Sequence, residues 1–273
     1  TLVDEEADLL ERDVDKALVK NGDEQETDDS QKLIRAQAVS ATNSPFAGGD
    51  GLSPQTAYQI ETAQQLMAFN GNPSDYKENH FILMDDIELP SDYEWKSMPN
   101  FRGTFNGNGK TIKNIQMTQT ASNRYFYGMF GTLEGEVFDL NLENVSVQVH
   151  ITSNSNQFFI GALAGSNRGE ITNVSVNSGQ IVATGGFGAD NLMSHVGGLV
   201  GENNRGNIQT SNSKIDVTVT ARGVRVGGLV GYNTGQISDS YVTGDMVVTG
   251  VNNNGNSLIY VGGLVGEARE KSS

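Results

Sequence analysis

The sequence predicts an all-β protein, a stack of parallel coils preceded by a short helical cap. Three observations predict it. One glycine pattern recurs five times beyond residue 125. Between the recurrences lie alternating segments rich in Val, Ile and Thr, the pattern of strands and not of helices. The composition also changes near residue 100. All five prolines precede it, whereas 28 of the 33 glycines follow it.

Residues 1–35 hold 12 acidic and 5 basic side chains, a net of −7 out of −15 for the whole chain. Leu2, Val3, Leu9, Leu10, Val14, Ala17 and Leu18 form a loose helical stripe. Asn21-Gly22 reads as its stop, and the acidic run after it reads as a solvated, disordered linker. The chain divides into an acidic leader at 1–45, a cap with the first coils at 46–125, and a repeat solenoid at 126–273.

Within the cap, 46–57 is turn-rich. Ile60, Ala63, Leu66, Met67 and Phe69 fit a short helix that starts at Glu61 or Thr62 and stops at Asn70-Gly71. Residues 81–89, FILMDDIEL, read as a buried strand. Residues 101–115 have strand character at both ends of a Gly/Asn turn.

The repeat itself is carried by YGMFG, IGALAG and three copies of VGGLVG. Their anchor glycines are Gly131, Gly165, Gly201, Gly231 and Gly266, separated by 34, 36, 30 and 35 residues. A second glycine follows at Gly135, Gly169, Gly206 and Gly235, and the last copy has Glu270 instead. A unit this short cannot bury its apolar face alone, but stacked copies can. The anchor glycines are expected at tight corners, with Val and Leu inside. Asn167, Asn203 and Asn233 are expected to take left-handed angles and bond their own backbone at the turn. The unequal spacing predicts loops of variable length at one or more corners, with QFFIG after SNSN, GGFGADNLMSH and GVNNNGNSLIY as candidates. A phosphate-binding loop is excluded, because no copy leads into Lys-Ser/Thr or a helical pattern.

These segments resemble the GLUG-motif repeats of bacterial surface proteins and adhesins. The shared core is GGLVG at Gly197–Gly201, Gly227–Gly231 and Gly262–Gly266, and the segments at 48–70, 81–89 and 101–117 look like those that precede such arrays. The resemblance implies a right-handed parallel β-helix on the cell surface, with scaffold glycines and no shared catalytic residues. It also implies non-catalytic parts of surface peptidases as relatives. The ending EAREKSS reads as a boundary within a longer parent or as a polar cap over the last edge.

Composition and motifs narrow the chemistry. There is no Cys, which excludes disulfides and thiolate metal sites. His80, His150 and His195 stand far apart. The acid excess argues against nucleic acid, and no apolar run could insert in a membrane. HExxH, GxSxG and EF-hand spacings are missing. Asp85 and Asp86 read as one solvent-facing and one turn-capping carboxylate, with calcium or catalysis as the weaker alternative, so no cofactor is expected. Aromatics give the best binding hint. Tyr93, Trp95, Tyr125 and Phe187 are candidate ligand contacts, and Phe158 and Phe159 fall in or beside predicted insertions. For Trp95 and Phe101, packing the cap over the first coil is the favoured alternative.

The expectation is a non-enzymatic, extracellular adhesin or stalk module that meets a glycan or protein ligand. A carbohydrate-active β-helix enzyme and a segment of a surface peptidase are the alternatives.

Overall fold

The computed structural model describes residues 44–121, 125–152, 157–185, 193–251 and 258–269. The acidic leader therefore lies outside the described residues up to 43. From Pro45 onward the chain is a parallel β-solenoid.

Each rung runs through four faces in order. In the second rung they are Glu136–Glu143, Val145–Ile151, Phe158–Ile160 and Ala164–Asn167. The second, third and fourth faces are each five strands deep, and five strands make four turns from first to last. The first face is broader, with 11 strands, because it takes in three strands of the cap and because three rungs cross it as two short strands each. All rung-to-rung strand pairs run parallel and in register. Val147, for example, sits between Met117 and Ile181 on the second face.

Alternation sets the core. In Val145–Ile151, Val145, Val147, Val149 and Ile151 point inward and are at most 2% exposed, while Gln148 and His150 point outward. The same columns recur one rung on, with Ile181 and Ala183, then Val217 and Val219.

Helix α1 (Ala63–Gly71) covers the open N-terminal end. Thr62 caps it. Its hydroxyl accepts from Gln65 N, and the Gln65 side chain accepts in return from Thr62 N. Leu66 and Phe69 are fully buried, and Phe69 meets Phe81, Trp95, Phe101 and Phe105. The expected strand at 81–89 is two short ones, Phe81–Leu83 and Ile87–Glu88. The bend between them holds Asp85 and Asp86, both exposed. Asp86 accepts from Thr111 N at 2.8 Å, which caps the next rung. Thr104–Asn106 and Thr111–Lys113 both pair parallel to Glu136–Glu143, so the Gly/Asn turn between them is a protrusion on one strand path.

The anchor glycines are not at corners. The turn between the third and fourth faces is the Gly-Leu pair before them, such as Gly198-Leu199, whose Leu199 is buried. The anchors lie inside the fourth-face strands, where the third-face backbone approaches. A Cβ on Gly201 would stand 2.5 Å from Ile160 N, and one on Gly231 2.6 Å from Val196 N. Gly131 is looser, with its nearest atom at 3.4 Å. The second glycines are the true corner column. A Cβ on Gly169 would meet Gly135 O at 1.9 Å, and one on Gly235 would meet Gly206 O at 2.1 Å.

The repeat asparagines do bond their own turns. Gly169 N donates to Asn167 Oδ1, and Gly235 N donates to Asn233 Oδ1. They also form a ladder, since Asn167 Nδ2 donates to Asn203 Oδ1 at 2.9 Å and Asn203 Nδ2 to Asn233 Oδ1 at 2.7 Å. Their backbones are not left-handed, however. Positive φ falls instead on Asp139, Asn173, Thr210 and Asp239, a register column inside the first face, and on Asn100, Asn108, Asn114, Asn144 and Arg205.

Candidate binding surface

The residues proposed for binding divide sharply. Trp95 is 1% exposed, and its Nε1 donates to Met129 O at 2.9 Å, so it fastens the cap to the first rung. Phe101 is buried beside it. Tyr93 is half-buried and packs edge-on to Trp95. Its hydroxyl donates to Asn70 Oδ1 at 2.9 Å, and burial raises its pKa. Tyr125 is 56% exposed and stacks on Tyr127 at 5.6 Å. Burial, then the neighbouring Tyr125, pushes Tyr127 up to about 12. Phe187 lies outside the described residues. Phe158 and Phe159 are not loop residues but buried third-face residues. The structure thus brings Tyr93 and Trp95 together under the cap and leaves Tyr125 as the exposed aromatic of the described three.

The main cluster of chemistry-bearing side chains was not legible in the sequence. It lies between the third and fourth faces. One column runs Phe126, Phe159, His195, Arg225, Tyr260, and the facing one runs Thr132, Ser166, Glu202, Tyr232, Glu267. Phe126 stacks on Phe159 at 4.7 Å, and Phe159 meets the His195 ring edge-on at 5.0 Å. Arg225 lies over Tyr232 at 4.6 Å and pairs with Glu267. Arg225 Nη1 lies 2.9 Å from His195 Nε2. A guanidinium can only donate, so Nε2 accepts and the single ring N–H proton belongs on Nδ1. His195 Nδ1 faces Glu202 Oε1 at 3.9 Å. Burial opposes the charge on Glu267, but hydrogen bonds from Arg225 and Arg269 outweigh it and hold its carboxyl below the usual range. The ion pair, the cation–π contact and the ring stacks make this a polar seam between two packed faces.

The link from the second face to the third varies most in length, from two residues (Arg222-Gly223) in the fourth rung to eight between Gly185 and Ser194, and most residues of the longer links lie outside the described ones. Within the described residues, the outward side of the second face is a solvent-facing ladder. One of its columns is Thr118, Gln148, Val182, Thr218, Val247, and the next is Thr120, His150, Thr184, Thr220, Thr249. Neither contains Lys, Arg, Asp or Glu. Among the described residues, no group of three or more His, Asp or Glu could hold a metal ion, and no helix is long and apolar enough to cross a membrane.

Fold and glycine columns together define a stacked β-solenoid repeat module. Residues 223–249 match the family described as "The GLUG motif". A "Putative Gly-rich membrane protein" of Evansella cellulosilytica is 36% identical over 152 residues, covering 51% of this chain and 16% of that protein. "Halomucin" of Haloquadratum walsbyi is 29% identical over 174 residues, covering 59% of this chain and 2% of that protein. The chain thus spans a small part of the length of the curated relatives it matches. A crystal structure of a "putative immunoglobulin A1 protease" from Bacteroides ovatus aligns at a TM-score of 0.40 with 18% identity, over 82% of this chain and 87% of that one.

Proposed function

We propose that this chain is a non-catalytic module of a cell-surface protein, an adhesin or stalk segment whose solenoid holds ligand-binding loops in a row. The observation that carries this reading is the second-to-third-face link, which runs from two to eight residues along the stack and recurs once per rung, at about 4.8 Å per step. Loops of differing length on a regular scaffold are how many folds vary their ligands without altering their cores. The ionisable residues of the polar seam are consumed in packing, which supports a scaffold rather than an enzyme. The relative named as a membrane protein supports a cell-surface place, and the small share of both relatives that the chain covers supports a longer parent chain.

The test replaces residues 186–193 with the two-residue Arg-Gly link of the fourth rung. Wild type and variant are then screened on immobilised neutral and acidic polysaccharides, fibronectin and collagen. The expected result is wild-type binding to at least one probe that the shortened variant loses while folding normally. Sustained release of product from any polysaccharide or protein would overturn the non-catalytic reading.

A further inference from the structure

We infer that the outward side of the second face binds a linear, uncharged polysaccharide laid across the rungs, about one sugar ring per strand. This rests on the ligand-binding reading above and moves the contact from the loops to the sheet beside them.

The first argument is geometric. The face is an uninterrupted parallel ladder of five in-register strands. Its outward side chains therefore repeat at about 4.8 Å between rungs, close to the length of one pyranose in an extended chain. A linear glycan can meet equivalent groups at successive rungs, so weak contacts add along its length.

The second argument is charge. The chain carries a formal −15, yet the two outward columns hold no fixed charge over all five rungs. The column beside them contains Asp216, and Asp245 follows in the next rung. A polyanion would meet repulsion there with no base in the two columns to offset it, whereas a neutral chain meets none.

The third argument is chemical. A sugar ring has hydroxyl edges and apolar C–H faces. Thr218, Thr220 and Thr249 each offer a hydroxyl beside a methyl. Val182 and Val247 place apolar groups where alternation along a solvated strand calls for polar ones, and Val247 is 58% exposed. The Thr and Val side chains are β-branched and stiff at χ1. His150 Nδ1 also lies 3.1 Å from Thr184 Oγ1, a link from rung to rung. Such a face is largely ordered before binding, which lowers the entropic cost of association.

The test is affinity electrophoresis of the full chain through gels containing hydroxyethylcellulose, galactomannan or dextran, with polygalacturonate as the charged control. The variants are Thr218→Glu/Thr220→Glu together, Thr249→Glu alone, and Gln209→Glu on the first face, each checked for an unchanged thermal midpoint. The expected result is retardation of wild type and Gln209→Glu by at least one uncharged polysaccharide but not by polygalacturonate. The double variant should lose about tenfold in apparent affinity, and Thr249→Glu should fall between. Retardation of the double variant equal to wild type would overturn the inference while leaving loop presentation standing. No retardation by any uncharged polysaccharide, or equal retardation by polygalacturonate, would overturn it too; fibronectin or collagen binding in that case would still support loop presentation.

Discussion

At Gly231 the backbone of the third face leaves no room for a side chain. A Cβ there would stand 2.6 Å from Val196 N and 2.7 Å from Gly201 O, both main-chain atoms that cannot turn aside. Gly231→Ala is therefore expected to cost on the order of 2–3 kcal/mol by overpacking. Gly263→Ala, where nothing lies within 4 Å, should stay within about 0.5 kcal/mol. Chemical denaturation of both variants checks the pair, and equal losses would contradict the close approach. The glycine period was readable because only glycine permits this contact, and the contact returns once per turn. Its cause was not readable, since corner glycines and facing-strand glycines leave the same trace in a sequence. Thr210 poses the opposite case. Its φ of 50° is one that β-branched residues rarely tolerate, and its register partners Asn173 and Asp239 are residue types that do. Thr210→Asn is expected to stabilise by about 1 kcal/mol, read as a rise in the thermal midpoint. A fall would mean that the threonine side chain holds the bend.

At the scale of elements, the third and fourth faces form an arch sealed by polar groups where the other faces use aliphatic ones. Glu267 carries the clearest pH consequence. Its carboxyl is held below the usual range by Arg225 and Arg269 against the opposing effect of burial. A depressed folded-state value means that its stabilisation is complete above the unfolded carboxylate value of about 4.3. It is then lost as pH falls through the lower folded value. The difference in thermal midpoint between wild type and Glu267→Gln should hold steady from pH 7 to 5 and shrink below about pH 4. A difference that does not change with pH would remove the ion pair from the account. This arch also explains why Phe158 and Phe159 looked like loop residues. SNSN precedes them, and the strand that buries them, Tyr125–Tyr127, lies more than 30 residues earlier. Period-two alternation marks long strands such as Val145–Ile151 from their own residues. A three-residue strand is too short to show a period, and its burial is decided by partners that local pattern does not reveal. Trp95 was half legible for the same reason, as a large aromatic beside the cap whose buried position depends on Met129 in the next turn.

At the scale of the solenoid, each rung contacts only its neighbours, so stability is a sum of rung and interface terms and need not be uniform. The two ends differ. Helix α1 closes the first with Leu66 and Phe69 fully buried. The last rung keeps Val261 and Leu264 at 50% and 37% exposure, whereas Val226 and Leu229, which match them one rung earlier, are fully buried. The third rung has neighbours on both sides, and Ile171, Val174, Ile181 and Val196 there are fully buried. Opening the last rung breaks one interface, and opening the third breaks two and exposes an intact core. Native-state hydrogen exchange should therefore be slowest across 171–176 and 180–184. It should quicken through 217–221 and be fastest across 246–250 and 265–268, since protection follows the free energy of each local opening. Uniform protection along the stack would mean that the rungs open as one cooperative block, and nearest-neighbour stacking would then be the wrong description of its energetics.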